Sequence, residues 1–516
     1  MTESRKQKGK TSNIAVLLAV SLTLILIFGG AFALYFWKGR AINESDIRSA
    51  EKIMGLTFTR KERRMLLDNT RRNLRSYTAL RDVDIPNSIP PAFQFNPVVD
   101  PEKHPIRETS FSFVPDPAVI LPENREEIAA GHYRGPLHGI PWGAKDLLST
   151  KAYPTSWGAM PYRDQIFDED ATVVRRLEEA GAVLVAKLSL GALAMGDVWF
   201  GGRTRSPWNP NRGSSGSSAG PGAATAAGLV GFSIGTETHG SIVSPATRNA
   251  VSGLRPTFGR VSRHGAMALS WSMDKIGPMC RSAEDCALVF DAIFGPDGRD
   301  STLIDRPFAW EPDRDLKDLR IGYYKKSFEG TFRDKDKAEA VLDYFRGLGV
   351  ELVPIELPEL PVDSMSFILV AEAAASFDEL TRSGRDDLLV RQSSSSWPNT
   401  FRQARFIPAV EYIQANRLRT LYMRKMAEIM EHIDVYISTN RAGNLLATNL
   451  TGHPAVCVPT SVPTEEGDST AITFIGNLFR EADVLLTAKA WQDGTDFHLV
   501  HPDLETTLAK KKKDGQ

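Results

Sequence analysis

The hydrophobic and polar positions divide the chain into an apolar N-terminal run and a long body in which helix and strand patterns alternate. Residues 173–180 have the apolar spacing of a helix, and residues 182–186 have the composition of a buried strand. The same succession recurs between residues 319 and 353. This alternation predicts an α/β fold: a single large domain with a mixed, mostly buried central β-sheet covered by helices on both faces.

The apolar N-terminal run predicts a membrane segment. Residues 13–37 carry no charge, and this run is longer than the about 20 apolar residues with which a helix crosses a bilayer. The basic segment 1–12 precedes it, which favours a single-pass signal-anchor with a cytoplasmic N-terminus and the body outside the cytoplasm. A cleaved signal peptide and an exported body are the alternative, because Ala31-Phe32-Ala33 has the small residues of a cleavage site.

The segments around the central body have simpler patterns. Residues 45–82 are predicted to be helical, with a capping box from Thr59 to Glu62. The arginines of this segment are interpreted as a solvated helix face, with contact to lipid headgroups as the alternative. Residues 83–125 contain nine prolines and predict an extended wrap, and 506–516 form a basic tail. Within the body, 126–505, further strands are predicted at 434–438, 454–459 and 471–475, and longer helices at 363–382 and 408–433.

Charge and cysteine content exclude several classes of function. The chain has 62 Lys and Arg against 63 Asp and Glu, so no overall positive field attracts nucleic acid. Only three cysteines occur, without paired C-x-x-C spacing, which argues against a disulfide framework and a cysteine-based zinc site.

Two short serine motifs fit known nucleophile patterns. Residues 216–220 fit G-x-S-x-G with Ser218 at its centre, although the elbow of that motif follows a buried strand and residues 208–212 are rich in turn formers. Ser272 and Lys275 fit S-x-x-K, although no Lys-Thr-Gly follows them. Both motifs are short enough to arise by chance in a chain of this length.

A third set of blocks covers much more of the chain. Residues 139–146 (GIPWGAKD), 216–219 (GSSA) and 235–242 (GTETHGSI) resemble, in this order, the characteristic blocks of the amidase signature family. The family's other blocks are matched at 180–187, 194–196, 253–262 and 449–455, so that the resemblance extends over roughly residues 45–500. The resemblance implies that 126–505 is an amidase signature domain.

The resemblance implies a Ser–cis-Ser–Lys triad with Ser241 as nucleophile, Ser217 as bridge and Lys145 as base. Ser214, Ser215 and Ser218 compete with Ser217 by composition, and the family's separation of 24 residues from the nucleophile selects Ser217. Such a base must be neutral, which burial of the amine favours. The implied oxyanion hole consists of backbone N–H groups of Thr238, His239, Gly240 and Ser241, and neither a metal nor a cofactor is implied.

Three positions depart from the family pattern, which usually has Asp, Gly and Arg where this chain has Glu237, His239 and Val243. A histidine fits the backbone of a glycine only if φ stays negative or strain is accepted. His239 is therefore expected either to line the pocket or to be tolerated as bulk. The missing arginine at 243 leaves open what supports the oxyanion loop.

The implied function is hydrolysis of a small-molecule or lipid amide by a membrane-anchored amidase, without nucleic acid as a partner. Two alternatives remain: the A subunit of a tRNA-dependent amidotransferase, against which the predicted anchor argues, and a non-catalytic binding protein on the same scaffold. The sequence leaves a homodimer and the identity of the amide open.

Overall fold

The computed structural model describes residues 42–83, 124–151, 153–439, 443–464 and 468–505. The predicted membrane segment, nearly all of the proline-rich wrap and the basic tail lie outside these residues. Within them, no helix combines the length and apolar character needed to cross a membrane.

The described residues of the N-terminal unit, which extends to Leu74, contain one complete helix and most of a second. Helix α1 spans Glu44–Met54 and α2 spans Arg60–Arg81, because Gly55 takes a left-handed conformation (φ 67°) that ends α1. The predicted capping box is confirmed: Thr59 N–H donates to Glu62 at 2.6 Å, and Glu62 N–H donates to the Thr59 hydroxyl at 3.3 Å. Arg63 pairs with Glu51 at 2.7 Å, so this arginine is not a free solvated cation.

The larger unit, from Arg75 onwards, contains fourteen strands among its described residues. They are β1 Pro141–Lys145, β2 Val183–Leu188, β3 Val198–Trp199, β4 Gly202–Arg203, β5 Arg205–Ser206, β6 Asn209–Gly213, β7 Phe232–Glu237, β8 Ser252–Arg255, β9 Lys275–Cys280, β10 Ile321–Tyr324, β11 Leu352–Ile355, β12 Val435–Ser438, β13 Ala455–Pro459 and β14 Ala471–Gly476.

The helices of this unit lie between and after the strands. They are α3 Asn124–Ala129, α4 Thr172–Glu179, α5 Ala219–Ala226, α6 Val243–Asn249, α7 Ala283–Ile293, α8 Lys325–Phe328, α9 Lys335–Gly347, α10 Phe367–Ser376, α11 Asp378–Ser383, α12 Trp397–Ala404, α13 Ala409–Met430, α14 Asn444–Thr451 and α15 Glu481–Asp493. Short 3₁₀ turns lie at Met160–Tyr162, Ala192–Ala194, Leu316–Asp318, Val362–Met365 and Arg385–Leu388.

Ten strands form one mixed sheet in the order β11-β10-β12-β14-β13-β8-β9-β7-β1-β2. The strands at the two ends are parallel, and the pairings from β12 through β14, β13, β8 and β9 to β7 are antiparallel. Every residue of β7, β8, β9 and β13 is buried, which requires cover on both faces of the sheet. The predicted large α/β domain with a mixed sheet is confirmed.

Two local predictions differ from the structure. The predicted helix at 363–382 is divided, because α10 ends at Ser376 and α11 begins at Asp378. Between them, Phe377 leaves helical geometry and is buried against Trp157 and Phe401. The residues before the G-x-S-x-G motif, which the sequence predicts to form turns, instead form strand β6. Among the described residues, β6 pairs with β5 in a small sheet that is separate from the central one.

Candidate active site

The site begins where two neighbouring parallel strands end. Strand β1 ends at Lys145 and β7 ends at Glu237, and the pairing of Ala144 with Ile234 aligns the two strands. Because parallel strands finish at the same edge of a sheet, the residues that follow them meet there, which is where open α/β sheets bind ligands. The loops before α5 and α6 carry the serine blocks to this edge.

Lys145 is completely buried and surrounded by oxygen acceptors. Its Nζ contacts Ser217 Oγ at 2.9 Å, Ser218 Oγ at 3.0 Å and Thr236 Oγ1 at 2.8 Å. Burial lowers the pKa of Lys145 to about 7, although the nearby carboxylates of Asp274 and Glu237 favour its charged form. The lysine can therefore exist as a neutral amine near neutral pH.

The backbone around Ser217 is tightly enclosed. The Gly216–Ser217 peptide bond is cis, as the family resemblance implies for the bridging serine. A Cβ at Gly216 would lie 1.8 Å from the carbonyl oxygen of Gly196, so only glycine allows this approach of two backbone segments. The Ser217 side chain is 1% exposed and faces Lys145, which leaves its hydroxyl in contact with the amine rather than with bulk solvent.

Ser218 has a different role from Ser217. Its hydroxyl accepts a hydrogen bond from Lys145, donates to the Thr236 carbonyl at 3.2 Å and receives the Thr236 N–H at 3.2 Å. A hydroxyl has one proton and two lone pairs, so all its hydrogen-bonding capacity is used. Ser218 and Thr236 thus fix Lys145, a contribution that no short motif of the sequence indicated.

The loop that carries Ser241 is anchored by Glu237. The Glu237 carboxylate accepts the N–H groups of Ile242 and Val243, each at 2.9 Å, and pairs with Arg255 at 2.8 Å. It also accepts the Asn449 side-chain amide at 2.8 Å. Burial opposes the charge of this carboxylate, but the Arg255 guanidinium and these hydrogen bonds prevail and lower the pKa of Glu237 to about 2. The loop is therefore supported without an arginine at position 243.

The backbone N–H groups of His239, Gly240 and Ser241 donate to no acceptor within the described part of the chain. Gly240 has φ 88°, and a Cβ there would lie 2.9 Å from the Leu445 side chain. His239 is not among the described non-glycine residues with positive φ, so its backbone does not adopt the conformation that favours glycine. Ser241 is half-buried, and its carbonyl accepts the Ser218 N–H at 3.2 Å, which joins the two serine loops.

Asp274 supports the loop that carries Ser241 from a third segment. Its carboxylate accepts the Thr238 hydroxyl at 2.6 Å and the N–H groups of Leu269 and Ser270. Burial raises the pKa of Asp274. The neighbouring Lys275 donates to the carbonyl of Met273 rather than to Ser272, so the S-x-x-K pair is not assembled.

The Ser272 hydroxyl is held between two charged side chains. It lies 2.7 Å from Glu372 and 2.8 Å from Arg419, and its N–H donates to Glu372 at 3.0 Å. These contacts assign Ser272 a structural position between the 269–274 loop and helices α10 and α13. The structure thus brings Lys145, Ser217 and the loop of Ser241 together, and it places Ser272 in a separate network.

A cavity of about 500 Å³ opens near Lys145, although Lys145, Ser217 and Ser241 are not among the described residues that line it. Its lining includes Thr236, which contacts Lys145, and Thr238, which begins the loop that carries Ser241. Trp271 and Leu147 contribute apolar surface to it. Small-ligand sites have volumes of about 300–1,000 Å³, so the cavity can hold a small molecule. His239 is not one of the described residues that line it.

Comparisons with known proteins agree on one scaffold. Residues 108–444 match the family model named Amidase. The chain is 33% identical over 425 residues to the A subunit of glutamyl-tRNA(Gln) amidotransferase from Dechloromonas aromatica (strain RCB), with 73% of this chain and 87% of that protein covered.

Two solved structures have a similar fold. One comes from a vestigial protein complex that bears on the origins of an s-triazine catabolic enzyme, with 28% identity and a TM-score of 0.64 over 72% of this chain and 87% of the other. The other is the A subunit of glutamyl-tRNA(Gln) amidotransferase from Thermotoga maritima, with 25% identity and a TM-score of 0.59 over 69% and 84% of the two chains.

Proposed function

This chain belongs to the amidase signature family, and we propose that it cleaves a carboxylic amide through an acyl-enzyme on Ser241. One observation carries this proposal most strongly: the buried amine of Lys145 contacts Ser217 at 2.9 Å and has a pKa lowered to about 7. A serine hydroxyl needs a base to become a nucleophile, and a neutral amine can act as that base. The proposal assigns the base to Lys145 and the bridge to Ser217.

In the first step, Ser241 Oγ forms a bond to the amide carbon. Its proton passes to Ser217, whose own proton passes to the neutral Lys145. Collapse of the tetrahedral intermediate breaks the C–N bond, and the reverse transfer supplies the proton that the leaving amine needs. Water then attacks the ester through the same relay and releases the carboxylic acid and free Ser241.

The negative charge that develops on the carbonyl oxygen needs prepared donors. In this proposal they are the N–H groups of residues 239–241, which have no acceptor among the residues that the structure describes, and Gly240 gives the loop its turn. Glu237 holds the loop from its C-terminal side and Asp274 holds it through Thr238. Because both carboxylates are fixed by buried contacts, the donors require little rearrangement when the charge appears.

Covalent labelling tests this proposal directly. A serine-directed fluorophosphonate should modify wild-type protein on one peptide, that of Ser241, and Ser241→Ala should lose both the label and amide hydrolysis. Ser272→Ala is the matched control, because Ser272 lies in the Glu372 and Arg419 network, and it should keep the label on Ser241. An adduct on Ser218 or Ser272 with Ser241 unmodified would refute the assignment.

The names of the relatives favour a second candidate, which shares the amide-cleaving step: the A subunit of a glutamyl-tRNA(Gln) amidotransferase. In that case the ammonia from glutamine would go to a charged tRNA on a partner protein instead of to solvent. Purification of the tagged full chain from its own cells distinguishes the two. A stoichiometric tRNA-binding partner that stimulates glutamine hydrolysis supports the amidotransferase, and full amidase turnover by the isolated chain supports a free-standing hydrolase.

A further inference from the structure

A second cavity lies at the other end of the central sheet from β1 and β7. It has a volume of about 650 Å³, within the range of about 300–1,000 Å³ that is common for small-ligand sites. Among the described residues, it shares no lining residue with the cavity near Lys145, and neither Ser217 nor Ser241 lines it. This second cavity is therefore separate from the proposed catalytic site.

The second cavity lies where three parallel strands end. Tyr324 is the last residue of β10, Glu356 directly follows β11, and Gly443 lies beyond the end of β12, and all three line the cavity. Strand β10 lies between β11 and β12, so the chain leaves β10 toward one side to form β11 and later forms β12 on the other side. Such a reversal of strand order leaves a crevice at the carboxyl ends of the strands, which is where open α/β sheets bind ligands.

The charged residues of the second cavity favour a positively charged ligand. Three acidic residues, Glu356, Glu359 and Asp363, line it together with one basic residue, Lys326. None of these four side chains makes an ion pair with another residue that the structure describes. A cation in the cavity would therefore meet carboxylates that have no competing partner within the described chain.

The distribution of the carboxylates favours an elongated organic cation over a metal ion. A metal ion needs several ligand atoms that converge on one point. The described residues contain no group of three or more His, Cys, Asp or Glu side chains that could hold a metal ion, so the three carboxylates are spread around the cavity. Apolar lining residues, Leu357, Leu360 and Val362, alternate with them along the chain and offer a surface for methylene groups between separate charges.

Tyr422 adds a buried polar group to the lining. It belongs to α13, is 1% exposed and makes no hydrogen bond within the part of the chain that the structure describes. Burial raises the pKa of Tyr422 and of Tyr324, which also lines the cavity, so both phenols stay neutral. A neutral phenol can accept a hydrogen bond from an ammonium group, and the face of its ring attracts a cation.

We propose that the second cavity binds a linear polyamine, an aliphatic chain that carries two or more ammonium groups. Glu356, Glu359 and Asp363 bind the separate ammonium groups, and the Tyr422 hydroxyl accepts a hydrogen bond from one of them. The inference goes beyond amide hydrolysis and does not depend on it, because the ligand is bound and not cleaved.

Isothermal titration calorimetry of the wild-type full-length chain tests this proposal. The probes are spermidine and putrescine, compared with butylamine, which has one charge, and 1,4-butanediol, which has none. Spermidine should bind at one site per chain, and butylamine should bind about tenfold more weakly or worse, because it forms fewer charge-assisted hydrogen bonds. Added NaCl should weaken the binding of spermidine, since salt screens its attraction to exposed carboxylates.

Substitutions in the lining locate the site. The double variant Glu359→Gln and Asp363→Asn should weaken spermidine binding by about tenfold, and Tyr422→Phe should weaken it by about fivefold. Glu351→Gln is the matched control, because Glu351 is an exposed carboxylate at the opposite end of β11 from Glu356 and does not line the cavity. It should bind spermidine as the wild type does.

Three outcomes would overturn the proposal. The first is that spermidine binds no better than butylamine, and the second is that the double variant and Tyr422→Phe both keep the wild-type affinity. The third is an equal loss in Glu351→Gln, which would indicate unspecific attraction to surface carboxylates. Circular dichroism checks the folding of each variant, and the comparison of probes on the wild type decides the matter even if a variant fails to fold. Labelling of Ser241 is a separate measurement, so failure of one proposal leaves the other standing.

Discussion

The amine of Lys145 hydrogen-bonds to the hydroxyl of Ser218 at 3.0 Å and to that of Ser217 at 2.9 Å, so the two serines share this lysine. The Ser218 hydroxyl uses all of its hydrogen-bonding capacity in contacts with Lys145 and Thr236. The described contacts of the Ser217 hydroxyl leave it free to accept one proton and donate another. Two adjacent serines thus contact the same amine, and only one of them has its hydrogen-bonding capacity fully used.

Alanine substitutions should separate these two serines. Ser217→Ala should reduce kcat by about a thousandfold or more, because members of a relay act as a unit. Ser218→Ala removes one hydrogen bond that fixes Lys145 and should reduce kcat by about tenfold. Steady-state kinetics with a single amide, alongside circular dichroism as a check on folding, measures both. A Ser218 variant as inactive as the Ser217 variant would show that the assignment of the bridge is wrong.

Lys145→Arg should reduce amide hydrolysis almost as much as Lys145→Ala. General-base catalysis contributes about 10²–10⁴-fold, and Lys145→Arg keeps the positive charge but cannot supply a neutral base. Both variants should therefore lose this factor in kcat/KM. Substantial activity in Lys145→Arg would instead mean that position 145 serves as a fixed positive charge.

The pH profile of the wild type provides a separate test of Lys145. The base works in its neutral form, and its pKa is lowered to about 7, so kcat/KM should rise with pH and reach half of its plateau near pH 7. The measurement is the initial rate at low substrate between pH 5 and 9. A flat profile over this range would contradict the proposed role.

Glu237→Gln should destabilise the protein through the buried pair with Arg255. Removing one partner leaves the other charge buried, which costs about 3–5 kcal/mol of unfolding free energy. In the folded protein the pKa of Glu237 is lowered to about 2. The charged carboxylate therefore stabilises the fold fully at pH values above the pKa that this group has in the unfolded chain, and this stabilisation is lost as the pH falls toward 2. Urea unfolding should therefore show a larger difference in unfolding free energy between the wild type and Glu237→Gln at pH 7 than at pH 4.

Glu339→Gln is the control for this experiment. Glu339 pairs with Lys335 on the exposed side of α9 at 3.5 Å, and such surface pairs contribute about 0–1 kcal/mol. If both variants shift the urea midpoint equally, the buried pair of Glu237 and Arg255 stabilises the protein no more than a surface pair. Glu237 would then not be the support of the loop that carries Ser241.

Deleting residues 1–40 tests the predicted N-terminal anchor. The first described helix begins at Glu44, after the apolar run, so the truncated chain is expected to stay folded and active. The full chain should partition with detergent or membranes, and the truncated chain should not. Sequencing of the mature N-terminus decides between the two predictions: a start near Leu34 would establish cleavage of a signal peptide.

The sequence located Lys145 and Ser217, which the structure places in contact, better than it located the residues around them. Lys145 and Ser217 lie within ordered sequence blocks, so the family resemblance located them without any geometry. The contacts of Thr236 and Asp274 could not be predicted this way. Both residues act through side-chain hydrogen bonds to segments that are 91 and 36 residues distant, which local patterns do not encode.

For the central sheet, too, the sequence predicted the local elements but not the contacts between distant segments. Alternating strand and helix patterns predicted the α/β class, because burial on both faces gives strands an apolar composition. The order of the strands was not predictable, since β8 pairs with β13 about two hundred residues later. The division of helix 363–382 at Phe377 was also missed, because burial of this ring against distant aromatic residues overrides helical spacing.

The contact between Glu237 and Asn449 spans 212 residues of chain and has a consequence for biosynthesis. A ribosome adds about 5–20 residues per second, so roughly 10–40 seconds separate the synthesis of these two residues. For nearly all of that interval, the nascent chain contains Lys145, Ser217 and Ser241 but lacks the helix that carries Asn449. The loop that carries Ser241 therefore acquires its full set of supports only after Asn449 has been synthesised, so this loop cannot be completed as soon as Ser241 itself has been made.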